Sequence, residues 1–351
     1  MPQGQRAGNA PEPSIDPPRA AVQTSGPHSE TILANNAHPY TPAPPCAAGI
    51  AALDALVWQL GYRAVAVIGA SKNAGKTTAL NALSAALGQR NERAGLCSVG
   101  VDGESSDAWL ATPKPAVTLA KGALVVTAQQ AVHATAGRLK VLQTLDFDSS
   151  LGPNVLAEAR APGPVMLCGL AHRAQLAQAM AALWAAGADR VLVDGAYHRQ
   201  AAADALGIDA LVLAVGAVLP LADAVPTLRA LATPQDLDEV ATREVRGGLT
   251  DARLAQLDLA GVRVLRVASQ GAVLLGAAGH ALLARHGVRL TARHTRPLAC
   301  LTANPHRHDG SGSTEAADAF AARVRDWACA QGVSLPVVDV VAGICRVQGL
   351  S

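Results

Sequence analysis

Apolar residues along this chain fall into short, nearly unbroken runs separated by alanine-rich stretches of helical spacing. The runs lie at residues 64–68, 96–101, 123–126, 165–167, 191–193 and 211–215. Runs this short, with few polar interruptions, suit strands buried on both faces. The clearest helix covers residues 171–186, where Leu176, Met180, Leu183 and Trp184 share one face and Gly187 supplies the stop. Strands alternating with helices predict an α/β fold with a mostly parallel sheet flanked by helices. A further helix is expected over residues 50–60 from the spacing of Ile50, Leu53, Leu56 and Leu60.

After about residue 245 the rhythm changes. Strands are expected at 262–267, 298–302 and 336–341, and a helix at 315–329 that aligns Phe320, Val324 and Trp327. This C-terminal α/β region is either a second lobe or an extension of the first sheet. The first 45 residues contain ten of the 21 prolines and few branched apolar side chains. Such a segment cannot bury enough surface to offset its ordering entropy, so it is expected to be disordered.

Composition narrows the class. Charged residues make up 16% of the chain and the net charge is +2, with no basic cluster, which argues against a nucleic-acid partner. The longest uncharged stretch outside the tail, residues 267–284, includes Ser269, Gln270, three glycines and His280. It reads as a small-residue buried segment, so no membrane partner is expected. No apolar signal core follows a basic start, and six cysteines are scattered without a Cys-x-x-Cys pair. Reduced thiols in a cytoplasmic protein are the expectation. His306 and His308 lie close together, but no other ligand stands at metal-site spacing.

Candidate chemistry concentrates directly after the first run. Gly69-Ala70-Ser71-Lys72-Asn73-Ala74-Gly75-Lys76-Thr77-Thr78 reads as strand, glycine-rich turn and helix, the context of a phosphate-binding P-loop. Small residues let backbone N–H groups curl around a polyphosphate, and a helix beginning near Gly75 adds the positive end of its dipole. Lys76 would reach the β- and γ-phosphates and Thr77 would complete a Mg²⁺ shell. Only five lysines occur against 24 arginines, so two in this loop point to a need for a compact ammonium.

A second carboxylate element is expected at Val191-Leu192-Val193-Asp194-Gly195, where Asp194 would hold Mg²⁺ directly or through water. Asp102 and Glu104, after the 96–101 run, are further metal-binding or water-orienting candidates, with an ordinary polar loop as the competing reading. Lys114 is a candidate for phosphate or substrate contact. Asn304, in Asn304-Pro305-His306, sits on a loop at a strand end, where open α/β sheets place ligands. No Asn/Thr-Lys-x-Asp guanine motif occurs, so ATP with Mg²⁺ is the expected cofactor pair. These elements divide the chain into a tail (1–48), a P-loop nucleotide-hydrolase domain (49–245) and the C-terminal α/β region (246–351).

Assembled in order, the motifs resemble one family. They are 71–78, Val101-Asp102-Gly103-Glu104, Lys114-Pro115, the Gly122 to Thr127 segment, Asp194-Gly195-Ala196 with Arg199, Val215-Gly216-Ala217, Asn304-Pro305 and Val337-Val338-Asp339-Val340. This set is similar to the ATPase subunits of lysine 5,6-aminomutase reactivating factors, over roughly residues 50 to 345. The resemblance implies an ATPase that acts with a second, MutS-like subunit on the adenosylcobalamin-dependent lysine 5,6-aminomutase and drives release of damaged cobalamin. It implies roles for Lys72, Lys76, Thr77, Asp102, Glu104, Asp194 and Arg199. Three departures stand out: Ala70 begins the loop in place of glycine, Tyr197-His198 replace an expected acid, and the 304–308 loop is more basic.

Two other functions share parts of this pattern. A small-molecule kinase or ligase of the dethiobiotin-synthetase type would use the same loop, with Lys114 and the Asn304 loop serving the substrate. A nucleotide-gated metallochaperone would need clustered Cys or His ligands.

Overall fold

A computed structural model describes residues 43–99, 116–149, 151–195, 207–235, 242–306 and 316–347. The 1–42 stretch of the tail, Asp102, Glu104, Lys114, Arg199 and His308 lie outside the described residues. Within them, thirteen strands carry the architecture: β1 (Ala64–Gly69), β2 (Ala94–Val99), β3 (Leu124–Ala128), β4 (Leu139–Ser149), β5 (Gly152–Ala159), β6 (Arg190–Gly195), β7 (Ala210–Gly216), β8 (Thr242–Val245), β9 (Val264–Ser269), β10 (Arg289–His294), β11 (Leu298–Asn304), β12 (Val337–Asp339) and β13 (Ile344–Arg346). The main helices are α1 (Ala47–Leu53), α2 (Lys76–Gln89), α3 (Arg173–Ala185), α4 (Leu221–Leu231), α5 (Ala277–Arg285) and α6 (Ala317–Ala330).

The large sheet runs β13-β12-β11-β7-β1-β6-β2-β3-β5-β4, and a two-residue strand, Gly169–Leu170, pairs parallel with the end of β2. Its seven central strands, from β12 to β3, are parallel, and antiparallel pairs close it at both edges. Strand β1 shows why these residues form a central strand. Ala64, Ala66 and Ile68 enter one core with α3, α4 and α6, while Val65 and Val67 enter another with α1 and α2. A period of two with apolar residues on both faces requires helices on both sides, and that is the observed layering. No described helix is long and apolar enough to cross a membrane.

The chain from Thr242 onward takes part in two sheets. Strands β11 to β13 extend the large sheet, while β8, β9 and β10 form a separate three-stranded parallel sheet. The small sheet packs its own core around Leu249, Leu265, Val267, Val273 and Leu283. Residues 267–284 break into the end of β9, a short 3₁₀ turn, a two-residue strand and most of α5.

Two expectations need correction, and one element is unanticipated. The 165–167 run is not part of the large sheet: Gly163–Val165 pairs antiparallel with Val117–Leu119, and Met166 is exposed. Pro164 removes a ladder donor there, which favours a short peripheral pair. The 50–60 helix stops earlier, because α1 passes into a π turn, Asp54–Trp58, and Leu60 lies exposed in the following turn. Trp58 instead anchors this segment, donating its indole N–H to Leu83 O of α2 (3.1 Å). The β4–β5 hairpin has no counterpart in the apolar pattern, since most of β4 is exposed.

Candidate functional site

Strands β7, β1 and β6 lie side by side and end at one edge of the sheet, and the candidate residues gather there. Strand β1 remains tied to β7 one residue past its end, where the Ala70 N–H donates to Ala214 O (2.8 Å). Residues 70–75 then turn the chain into α2. The turn is made by Asn73 at φ 57° and Gly75 at φ 95°, both in the left-handed region that asparagine and glycine tolerate best.

The loop is pressed against its neighbours. A Cβ placed on Gly216, the last residue of β7, would lie 2.7 Å from Ala74 Cα. A Cβ on Gly75 would lie 2.9 Å from Asn304 Cβ, at the end of β11. Glycine is therefore required at 216 by close approach, and at 75 by both backbone angle and space. Ala74 and Ser71 are buried, Asn73, Gly75, Lys76, Thr77 and Thr78 are half-buried, and Lys72 is exposed.

Helix α2 opens at Lys76 with Gly75 as its N-cap, and no side chain caps it. Its first-turn N–H groups have no intrahelical acceptors, which leaves a positive end facing the loop. The Lys76 side chain folds back over the start of the loop: a Cβ on Gly69 would be 2.9 Å from Lys76 Cδ. The ammonium is thereby carried back along the turn rather than out along the helix.

Asp194 is brought to the same edge by the β-ladder, paired in register with Val67 of β1 and Ser98 of β2. Its Oδ1 is covered and has no hydrogen-bond partner among the described residues, although part of the residue remains exposed. Burial pushes its carboxyl above the usual carboxylate range, and the Lys76 charge pulls in the opposite direction. The neighbouring Cys97 thiol is pushed up to about 12 by burial and by the Asp194 charge. Ser71 Oγ, within the loop, is likewise covered and unpartnered among the described residues.

Buried polar groups without partners are costly, about 1–3 kcal/mol each, and Ser71 in the loop and Asp194 at the end of β6 are two of them. Asp194 and the first-turn hydroxyls of Thr77 and Thr78 come to this end of the sheet beside the loop. That set suits a Mg²⁺ ion that takes its remaining oxygens from phosphates and water.

The structure thus gathers Gly69 to Thr78, Asp194 and Asn304, while Asp102, Glu104, Lys114 and Arg199 fall outside the described residues. Gly216 had a place in the motif order but no role, and its contact with Ala74 supplies one. Its only local signal is a glycine ending an apolar run. No family model matches this chain, and no curated protein matches it.

Proposed function

We propose that the chain is a Mg²⁺-dependent P-loop ATPase whose phosphate site is the 69–78 loop. The observation that carries this reading is the covered, unpartnered Asp194 Oδ1 on the strand beside β1, in the field of Lys76. A carboxylate in that position is stabilised by a divalent cation. The loop N–H groups and the open end of α2 suit the phosphates that would share the cation. Lys76 would bind the phosphate chain and offset charge that develops on it, and Thr77 and Asp194 would hold Mg²⁺. When bound, the Mg²⁺–ATP pair supplies a phosphoryl group and a Lewis acid, and the chain supplies position and charge.

The narrower assignment is a cytoplasmic reactivase ATPase for lysine 5,6-aminomutase, working with a MutS-like subunit. Its support is the order of motif matches between residues 71 and 340, of which the loop, Asp194, Gly216 and Asn304 meet at one site.

Lys76→Ala tests the first part. It should lower ATP affinity or turnover at least tenfold, because a charge-assisted phosphate contact is worth about 1.5–3 kcal/mol. A folded variant with unchanged ATP binding and hydrolysis would remove the P-loop reading. The second part is tested by mixing the protein with cobalamin-inactivated aminomutase, its MutS-like partner, ATP, Mg²⁺ and fresh adenosylcobalamin. Recovery of aminomutase activity that is lost with Lys76→Ala supports the reactivase role. Failure of recovery, with hydrolysis stimulated by a small carboxylate or diamine, replaces it with the kinase-like role.

A further inference from the structure

Asn304 touches the phosphate loop from a strand that is not adjacent to β1 in the sheet. Strand β7 lies between them, and Asn304 stands in register with Gly216, the last residue of β7, against which the loop is pressed. The Asn304 Nδ2 donates to the Asn73 carbonyl at 3.4 Å and packs on Gly75. Its Oδ1 accepts from the His306 N–H at 3.3 Å, and its main-chain carbonyl accepts from the Ala217 N–H at 2.9 Å. The amide is thus engaged on backbone at both ends, once on the loop and once on its own strand-end turn.

Asn73 and Gly75 are the two loop residues in the left-handed region, and Asn304 meets both. Left-handed backbone is unfavourable for a non-glycine residue and persists where surrounding contacts enforce it. An anion-binding loop also needs its carbonyl dipoles occupied elsewhere while its N–H groups converge. The Asn304 amide satisfies one such carbonyl, that of Asn73.

We propose that Asn304 is a positioning residue for the phosphate loop: it holds the Asn73–Gly75 turn in its binding shape and does not read the nucleotide base. The proposal rests on the nucleotide-binding reading given above. Loss of one neutral hydrogen bond predicts a roughly two- to tenfold effect on phosphate binding. That effect should be blind to the base.

The experiment uses the full chain carrying Asn304→Ala or the near-isosteric Asn304→Asp, each checked for an unchanged melting midpoint. Affinities for ATP, GTP and inorganic tripolyphosphate are measured calorimetrically with Mg²⁺, alongside KM and kcat for ATP. Asn304→Ala should weaken ATP and tripolyphosphate by the same factor, raise KM with little change in kcat, and leave the ATP-to-GTP preference as it was. Asn304→Asp should weaken all three further, since a carboxylate cannot donate to Asn73 and brings negative charge towards the phosphates. The proposal is overturned if ATP binding falls while tripolyphosphate binding does not, or if the ATP-to-GTP preference collapses, because Asn304 would then read the base. Unchanged binding of all three probes by both folded variants also overturns it. A wild-type chain that binds neither ATP nor tripolyphosphate removes the nucleotide-binding reading itself, and this inference with it.

Discussion

Replacing Gly216 by alanine adds one methyl group to the end of β7 and should damage the proposed phosphate site without unfolding the protein. The added Cβ would lie 2.7 Å from Ala74 Cα and 3.3 Å from both Ala74 C and Asn73 O. Carbon atoms pack comfortably at about 3.5–4.0 Å, so the loop must retreat by roughly 1 Å. Ala74 is buried and the turn is fixed at Asn73 and Gly75, so the strain cannot be relieved by a side-chain rotation. Overpacking of this kind costs about 1–3 kcal/mol, or roughly 2–10 °C in melting midpoint for a domain of this size class. Binding should suffer more: an N–H donor moved by about 1 Å from a phosphate oxygen loses its hydrogen bond, worth about 1.5–3 kcal/mol for a charged acceptor. ATP affinity measured by calorimetry should therefore fall at least tenfold in a protein that still melts cooperatively. Gly88→Ala is the control, because a Cβ there meets nothing within 4 Å and the residue lies in α2. It should leave affinity unchanged and raise stability by up to about 1 kcal/mol. A Gly216→Ala protein that binds ATP like the wild type would refute the close-approach argument.

Three other outcomes can be checked. Asp194→Asn should reduce Mg²⁺-dependent hydrolysis at least tenfold while nucleotide binding in excess chelator changes little, and equal turnover would return Asp194 to a structural role. Gly49→Ala should lower the melting midpoint by several degrees, because its Cβ would fall 2.3 Å from the Val340 carbonyl oxygen, and an unshifted midpoint would show that α1 can slide. The Cys300 thiol is pushed from 9.0 to about 12, chiefly by burial, so above pH 9 the unfolded chain releases a proton that the folded chain retains. Stability should then fall with rising pH by about 1.4 kcal/mol per unit from this group, and Cys300→Ala should flatten the denaturation-derived slope between pH 9 and 10.5 by that amount. Parallel slopes would contradict the burial.

What could be read in the residues, and what could not, follows from range. Strand β1, the loop and α2 were legible because each signal is local: an apolar run, then small residues, then helical spacing. The 171–186 helix was legible for the same reason, and it forms at Arg173–Ala185 with Gly187 at φ 87°. The β4–β5 hairpin left no trace, because a strand exposed over most of its length has no reason to carry apolar alternation. The division of the C-terminal region between two sheets was equally hidden. Strands β9 and β11 are both short apolar segments, and only their partners, β8 and β10 for one and β7 and β12 for the other, tell them apart. At the site, Asp194 was visible as an acid ending an apolar strand. The contacts of Gly216 with Ala74 and of Asn304 with Asn73 span too many residues for any local pattern to show them.

The Asn304–Asn73 contact joins residues 231 positions apart. During synthesis the loop and α2 emerge early, while β11, which brings Asn304 and covers the outer edge of β7, follows only after the small sheet has been made. Contacts of such separation form late, because the intervening chain must be closed before they contribute. A nascent or C-terminally truncated chain would thus carry the phosphate loop with one wall missing and β7 as an open edge. On the proposed function, full nucleotide affinity would belong to the finished chain, and ATP binding would report that the last central strands have docked.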